Sequence, residues 1–330
     1  MFALSILSIN ELKLFKKIIH EKFLICNKKI KFIIILRGMM NEMNGLFEKY
    51  EKYAGYYNLC EEGRNVLREA AEKICADENL CIEAVGIKNR LTDVSVDFDC
   101  ETEFKNKSAQ FGAFVFTLAI EDMEKFYKEK NIPHDILLAT VSDLPIWIYH
   151  HRNWYNEWGF ATYGWLINHV RGKIFRLGRL QFEMAKIGDW NMPPEELRLD
   201  LKEGDRLLGV HIPRDGKLYE AACLDSFDRA KEFFSRYFNY KFKAFSCFSW
   251  LFDPAFKDLL PPDSNIIKFQ RLFVTFPRGG ENYGGLFYIF ENITKENIKD
   301  APTDTYFRKK IVEHILSGGI MQGGGGYRMV

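Results

Sequence analysis

Apolar residues recur at spacings of three and four through Leu59, Val66, Leu67, Ala70, Ala71 and Ile74, with charges between them. That period predicts helix from Asn44 to about Ala76. A second helical piece covers about Ile82 to Leu91, and a long one runs from Phe111 to Lys130, apolar in its first half and charged in its second. Pro133 stops it. His134 to about Gly159 is helical again, with Pro145 as a kink or break. After about Gly164 the period changes. Leu180 and Phe182 alternate with Arg179, Gln181 and Glu183, the period of two of a half-buried strand. RLLGVHIP is a second strand, ended by Pro213 and the Asp215-Gly216 turn. A helix through about Tyr237 follows, with Ser226 as its N-cap, and then a third strand from Phe242 to Leu251.

Asp253-Pro254 opens a short helix, Pro261-Pro262 breaks it, and Asp263 or Ser264 caps the next turn. Leu272 to Phe276 and Gly285 to Phe290 complete the strands, and the glycine-rich SGGIMQGGGGYRMV is expected to be a flexible end. The pattern implies an α+β protein. Residues 39–163 form a helical domain, and residues 164–330 a mixed sheet with flanking helices.

A hydrophobic content of 47% with 15% aromatics supports a large globular core. The net charge of +1 gives no nucleic-acid footprint. Residues 1–38 stand apart at net +6, which leaves the remaining chain mildly acidic. Their longest purely apolar run, Phe32 to Leu36, is too short for a membrane span, and no small-residue cleavage site follows. Three readings fit this extension. It is a start upstream of the true one at Met39, Met40 or Met43, which the break in character favours, or an added packed helix, or a basic helix on a membrane surface. The seven cysteines are odd in number, form no CxxC and lack zinc spacing. They read as reduced thiols, mostly core residues, in a cytoplasmic setting, with no metal expected.

The sequence contains no GxxxxGK[ST], HExxH, GxSxG or paired-glycine dinucleotide motif. The chemistry-bearing residues sit instead at strand and helix ends. His211 closes a strand and is suited to general-base work. Ser249 ends the third strand, four residues before Asp253, so His211, Ser249 and Asp253 can be written as a hydrolase triad, although no nucleophile elbow surrounds the serine. Asp253 also suits a cap, and Trp250 a pocket wall or core. Ser264-Asn265 opens a helical run, a place that favours anions. Trp147, Tyr149, Trp154, Trp158 and Trp165, with His150-His151 among them, form an aromatic belt at the junction of the halves. It reads as hinge core before it reads as a stacking platform.

HIPRDG, the DS…A..FF helix, SWLFDP, SNI..F and GRLQFE together resemble a bacterial acyltransferase-domain family. Its members join a helical N-acyltransferase-type N-terminal domain to a GNAT-like C-terminal domain. The resemblance covers residues 44–320 and is strongest over 164–275. It implies a mixed sheet splayed between two central strands, with acetyl-CoA or another acyl-CoA as co-substrate entering the splay. Gly209, Val210, Ile212, Pro213, Arg214 and Ser226 are then the implied cofactor contacts. His211 is the implied base, with Ser249 and Asp253 as orienting groups. Arg179, Gln181, Trp250, Ser264 and Asn265 are left for the acceptor, a small-molecule or peptide amine. One departure stands out: the loop RDGKLYEAACLD carries one glycine where GNAT proteins carry Q/R-x-x-G-x-G/A. A non-catalytic binding module that keeps the fold, and a serine hydrolase using Ser249 and His211, are the competing readings.

Overall fold

The computed structural model describes residues 45–188 and 200–330. The expectations for residues 1–38 fall outside them.

The N-terminal half is helical, as its period implies. Helices α1 (Leu46–Ala54), α2 (Glu61–Ala76) and α3 (Glu78–Thr92) surround α5 (Ala109–Glu129), with the short α4 (Cys100–Glu103) leading into α5. Every residue from Phe111 to Ile120 is buried, which explains why the first half of α5 has no polar face. Ser108 caps it through Phe111 N at 3.1 Å. The chain then turns through α6 (His134–Val141), α7 (Asp143–Tyr155) and α8 (Tyr163–Val170). The expected kink at Pro145 does not occur. Pro145 lies in the first turn of α7, where an N–H has no intrahelical partner to lose, and the break falls at Ser142.

Among the described residues the C-terminal half is a six-stranded sheet, β1 (Ile174–Leu177), β2 (Leu180–Lys186), β3 (Arg206–His211), β4 (Ala244–Ser249), β5 (Val274–Pro277) and β6 (Gly324–Met329), in the order β1-β2-β3-β4-β6-β5. All neighbours are antiparallel except β3 and β4, which are joined by the crossover helix α9 (Glu220–Phe238). Helices α10 (Phe256–Leu259), α11 (Asn265–Gln270), α12 (Gly284–Phe290) and α13 (Tyr306–Leu316) complete this half. One continuous apolar core runs from α5 across α6 and β1 to Phe182, Phe227 and Phe245. No helix among the described residues is long and apolar enough to cross a membrane.

Three expectations are corrected. Gly285–Phe290 is helix, not strand: Leu286, Ile289 and Phe290 are buried at helical spacing against Phe256 and Ile311. The terminal glycine run is not a flexible end but strand β6, paired on both sides, with β4 and β5. A Cβ at Gly324 would stand 2.5 Å from Phe252 O, and one at Gly325 would stand 2.5 Å from the Phe276 ring. Glycine is there because neighbouring groups close onto the strand. Ser226 does not begin a helix. It lies inside α9, fully buried, and its hydroxyl accepts from Arg179 N at 2.8 Å and donates to Ala222 O at 2.9 Å.

Candidate active site

Strands β3 and β4 pair only through Leu207–Gly209 and Ala244–Ser246. Beyond that register both continue, to His211 and to Ser249, without pairing to each other. A cavity of about 980 Å³ occupies the gap and extends to the helical half. Val210 and Ile212 line it from one strand, and Cys247, Phe248 and Ser249 line it from the other. Burial pushes the Cys247 thiol pKa well above its ordinary value, so it serves as wall rather than nucleophile.

His211 sits at the mouth of this wedge. Its Nε2 lies 2.8 Å from Glu183 Oε1, and both side chains are mostly buried. The pair exists because of sheet register. Gly209, not His211, is the cross-strand partner of Glu183, and a Cβ at Gly209 would come within 3.0 Å of Glu183 Cγ. The bare glycine lets the carboxylate lean along the strand to the imidazole. The carboxylate takes Nε2–H and thereby puts the imidazole's lone pair on Nδ1. The Trp165 ring stands edge-on to His211, with centroids 4.8 Å apart.

Behind His211 lies a buried polar centre. Asp143, 2% exposed, accepts at Oδ2 from Trp165 Nε1 at 2.8 Å and from Trp147 Nε1 at 3.1 Å, and at Oδ1 from Gln181 Nε2 at 3.0 Å. His169 Nε2 is 3.3 Å from Oδ2. Burial pushes the His169 pKa below the ordinary imidazole value, with Asp143 opposing the shift.

Arginines gather at the strand ends. Arg176 holds Asp215 through two bonds of 2.7 and 3.0 Å, and Arg179 Nε donates to Lys217 O at 3.0 Å. Together they fix the loop that has one glycine where GNAT proteins have a glycine-rich turn. Arg179 Nη1 is buried without a hydrogen-bond partner, and its side chain lines the cavity. Arg214 contacts His150 Nδ1, Tyr288 O and Glu291 Oε1, tying β3's end to α7 and α12. Burial first, and then the Arg214 charge, bring the His150 pKa down to about 4. Phe287 of α12 lines the cavity and packs on Trp154, with ring centroids 3.7 Å apart.

Most sequence candidates meet here. His211, Val210, Ile212, Pro213 and Arg214 line the cavity from β3 and its following loop. Arg179, Gln181, Ser249, Trp250 and Asn265 line it from elsewhere. Four do not. Gly209 makes room for Glu183, Ser226 braces the β1–β2 turn, and Ser264 caps α11 through Ile267 N. Asp253, fully buried, accepts from Ala255 N at 2.9 Å, Gln322 N at 2.6 Å and Gly323 N at 3.0 Å. With its oxygens spent on backbone, Asp253 orients no histidine, and Ser249 Oγ accepts from Leu251 N at 3.1 Å as a turn cap. The hydrolase triad does not assemble.

Glu183, Asp143 and His169 escaped the sequence reading as site residues, and Trp165 entered it only as part of the aromatic belt. Glu183 had a signal, since it shares a face of β2 with Gln181, but a polar face of a strand looks like solvent exposure. The aromatic belt divides: Trp158 is core, while Trp147 and Trp165 line the cavity.

A helical layer fused to a sheet that parts between two parallel central strands is the architecture of a GNAT-like two-domain acyltransferase. Two family profiles match the chain. The N-acyltransferase N-terminal domain matches over residues 49–172 and the GNAT-like C-terminal domain over residues 174–328. The chain belongs to the family built from these two domains. Among solved structures it is similar to an acyltransferase in complex with decanoyl-CoA and teicoplanin (24% identity, 83% of this chain and 89% of that one, TM-score 0.64). It is also similar to an acyltransferase in complex with decanoyl-CoA (23% identity, 82% and 88%, TM-score 0.65). No curated protein matches.

Proposed function

We propose that the protein transfers an acyl group from an acyl-CoA thioester to an amine. The observation that carries this reading is the position of the Glu183–His211 pair where β3 and β4 part, within the cavity. The unpaired strand edges beyond Gly209 and Ser246 leave backbone groups open, and a pantetheine arm carries amides that pair with such groups. Arg179 and Lys217 take the CoA phosphates; the buried, unpartnered Nη1 of Arg179 is the donor that calls for an anion. Val210, Ile212, Phe248 and Ile266 supply apolar wall for the acyl chain.

The chemistry is a direct aminolysis. The neutral amine nitrogen attacks the thioester carbon, and Nδ1 of His211 takes the proton that the nitrogen sheds. The C–S bond breaks, the amide forms, and the thiolate leaves, taking up the proton that His211 now carries. Ser249, whose Oγ accepts from Leu251 N, keeps a hydroxyl proton to offer the thioester oxygen or the departing sulfur. The acceptor is an amine reached from the opening between the helices and the sheet. The neighbour that holds teicoplanin favours a glycopeptide-type amine, within the wider class of peptide and small-molecule amines.

The test is incubation with acyl-CoAs from acetyl to decanoyl and an amine panel that includes teicoplanin, following released thiol and product mass. Amine-dependent thiol release that His211→Ala abolishes supports the reading. Melting that no CoA shifts, with no transfer, favours a binding module instead, and amine-independent ester cleavage favours a hydrolase.

A further inference from the structure

We propose that Asp143 is a positioning residue for His211, acting through Trp165 and Gln181; the proposal rests on the reading of His211 as the base. The carboxylate is buried on α7 and receives three side-chain N–H groups, at 2.8 Å from Trp165, 3.1 Å from Trp147 and 3.0 Å from Gln181. Packing alone does not need a charge there, because apolar side chains of similar volume stabilise such sites as well or better. What a carboxylate adds is direction. Its four lone-pair sites fix where each donor points.

Two of those donors flank His211. Trp165 meets its ring edge-on at 4.8 Å, and Gln181 is its cross-strand partner on β2. Glu183 holds the imidazole at Nε2, at 2.8 Å. The Trp165 ring bounds one side of the imidazole, and that ring's own angle is set by its indole N–H on Asp143. Trp165 is partly buried and lines the cavity, so its indole N–H on Asp143 is the polar contact that sets the angle it presents there. The chain of contacts therefore runs from Asp143 to Trp165 to the ring of His211, and it stops short of the reacting atoms.

Asp143→Asn is the first variant. An amide offers one acceptor oxygen where the carboxylate offers two, and its NH2 faces donors. With the acyl-CoA and amine that support turnover, kcat is expected to fall roughly 10- to 100-fold while KM for acyl-CoA stays within about twofold, the scale of a small misplacement of a catalytic group. Trp165→Phe keeps a ring but removes the N–H. It is expected to lower kcat similarly, and the double variant is expected to be no worse than either single one. A readout independent of turnover is the NMR spectrum of the His211 ring: the Nε2–H tautomer that Glu183 fixes should persist in all three proteins, while exchange broadening from ring reorientation should appear in both variants and not in the native protein. Unchanged kcat and ring signals in folded Asp143→Asn would overturn the proposal, as would a loss of kcat that Trp165→Phe does not share. If Asp143→Asn fails to fold, Trp165→Phe decides through the same two measurements. If the native protein transfers no acyl group, the reading of His211 as base fails, while the ring spectra still judge the positioning.

Discussion

Replacing Asp253 should unfold the protein more readily rather than disable a functioning site. Asp253 was a candidate for the chemistry, yet its carboxylate is fully buried and spent on the backbone N–H groups of Ala255, Gln322 and Gly323. The latter two lead into β6, so one side chain ties the loop after β4 to the strand that lies between β4 and β5. Asp253→Ala strips the acceptor from three donors. A buried unsatisfied group costs about 1–3 kcal/mol, and Ala255, at a partly exposed turn, costs least because water reaches it. The expected loss is about 4 kcal/mol, a large share of the roughly 5–15 kcal/mol that holds a domain folded. With a urea slope of about 3 kcal/mol per molar, the unfolding midpoint should fall by about 1.3 M. Asp253→Asn keeps one acceptor oxygen and should fall about half as far. Urea unfolding followed by tryptophan fluorescence and circular dichroism measures both. A midpoint within about 0.2 M of the native protein, joined to a loss of transfer above roughly 100-fold, would refute the structural assignment and return Asp253 to the chemistry.

Three further outcomes follow from the same geometry. His211→Ala should reduce acyl transfer by roughly 100- to 10,000-fold while leaving CoA binding by calorimetry intact, with Glu183→Gln causing a smaller loss in the same assay. Stability should fall on acidification from about pH 6.5 toward pH 4: the folded state keeps His150 neutral, with its pKa at about 4, so the unfolded chain binds the extra proton. His151 and His169, whose pKa values burial also lowers, act in the same sense, and His150→Gln should flatten part of the slope of urea midpoint against pH. Gly325→Ala should cost roughly 1–3 kcal/mol by thermal unfolding, because its Cβ would sit 2.5 Å from the Phe276 ring and 2.7 Å from that of Phe248.

The pattern of residues along the chain sets the two-part architecture, because a helical period of three and four and a strand period of two are written in neighbouring residues and follow from backbone geometry alone. It also placed β3, with His211 at its end, and the crossover to β4, because Pro213, the Asp215-Gly216 turn and the apolar run after Tyr240 are local signals. Tertiary structure decided the rest. Gly285–Phe290 is an unbroken apolar run that helix and strand can both bury, and the terminal glycines carry no side chains, so which of the two each adopts depends on Trp250, Phe252 and Phe276 packing against them. The site partners of His211 are likewise invisible along the chain. Glu183 reaches it because Gly209 lies opposite in the β2–β3 register, and Trp165 reaches it from the helical half, 46 residues away in sequence. Local residues set a strand's direction and end. Only the pairing of strands and the docking of α7 and α8 onto them could bring a carboxylate, an indole and an imidazole to one point.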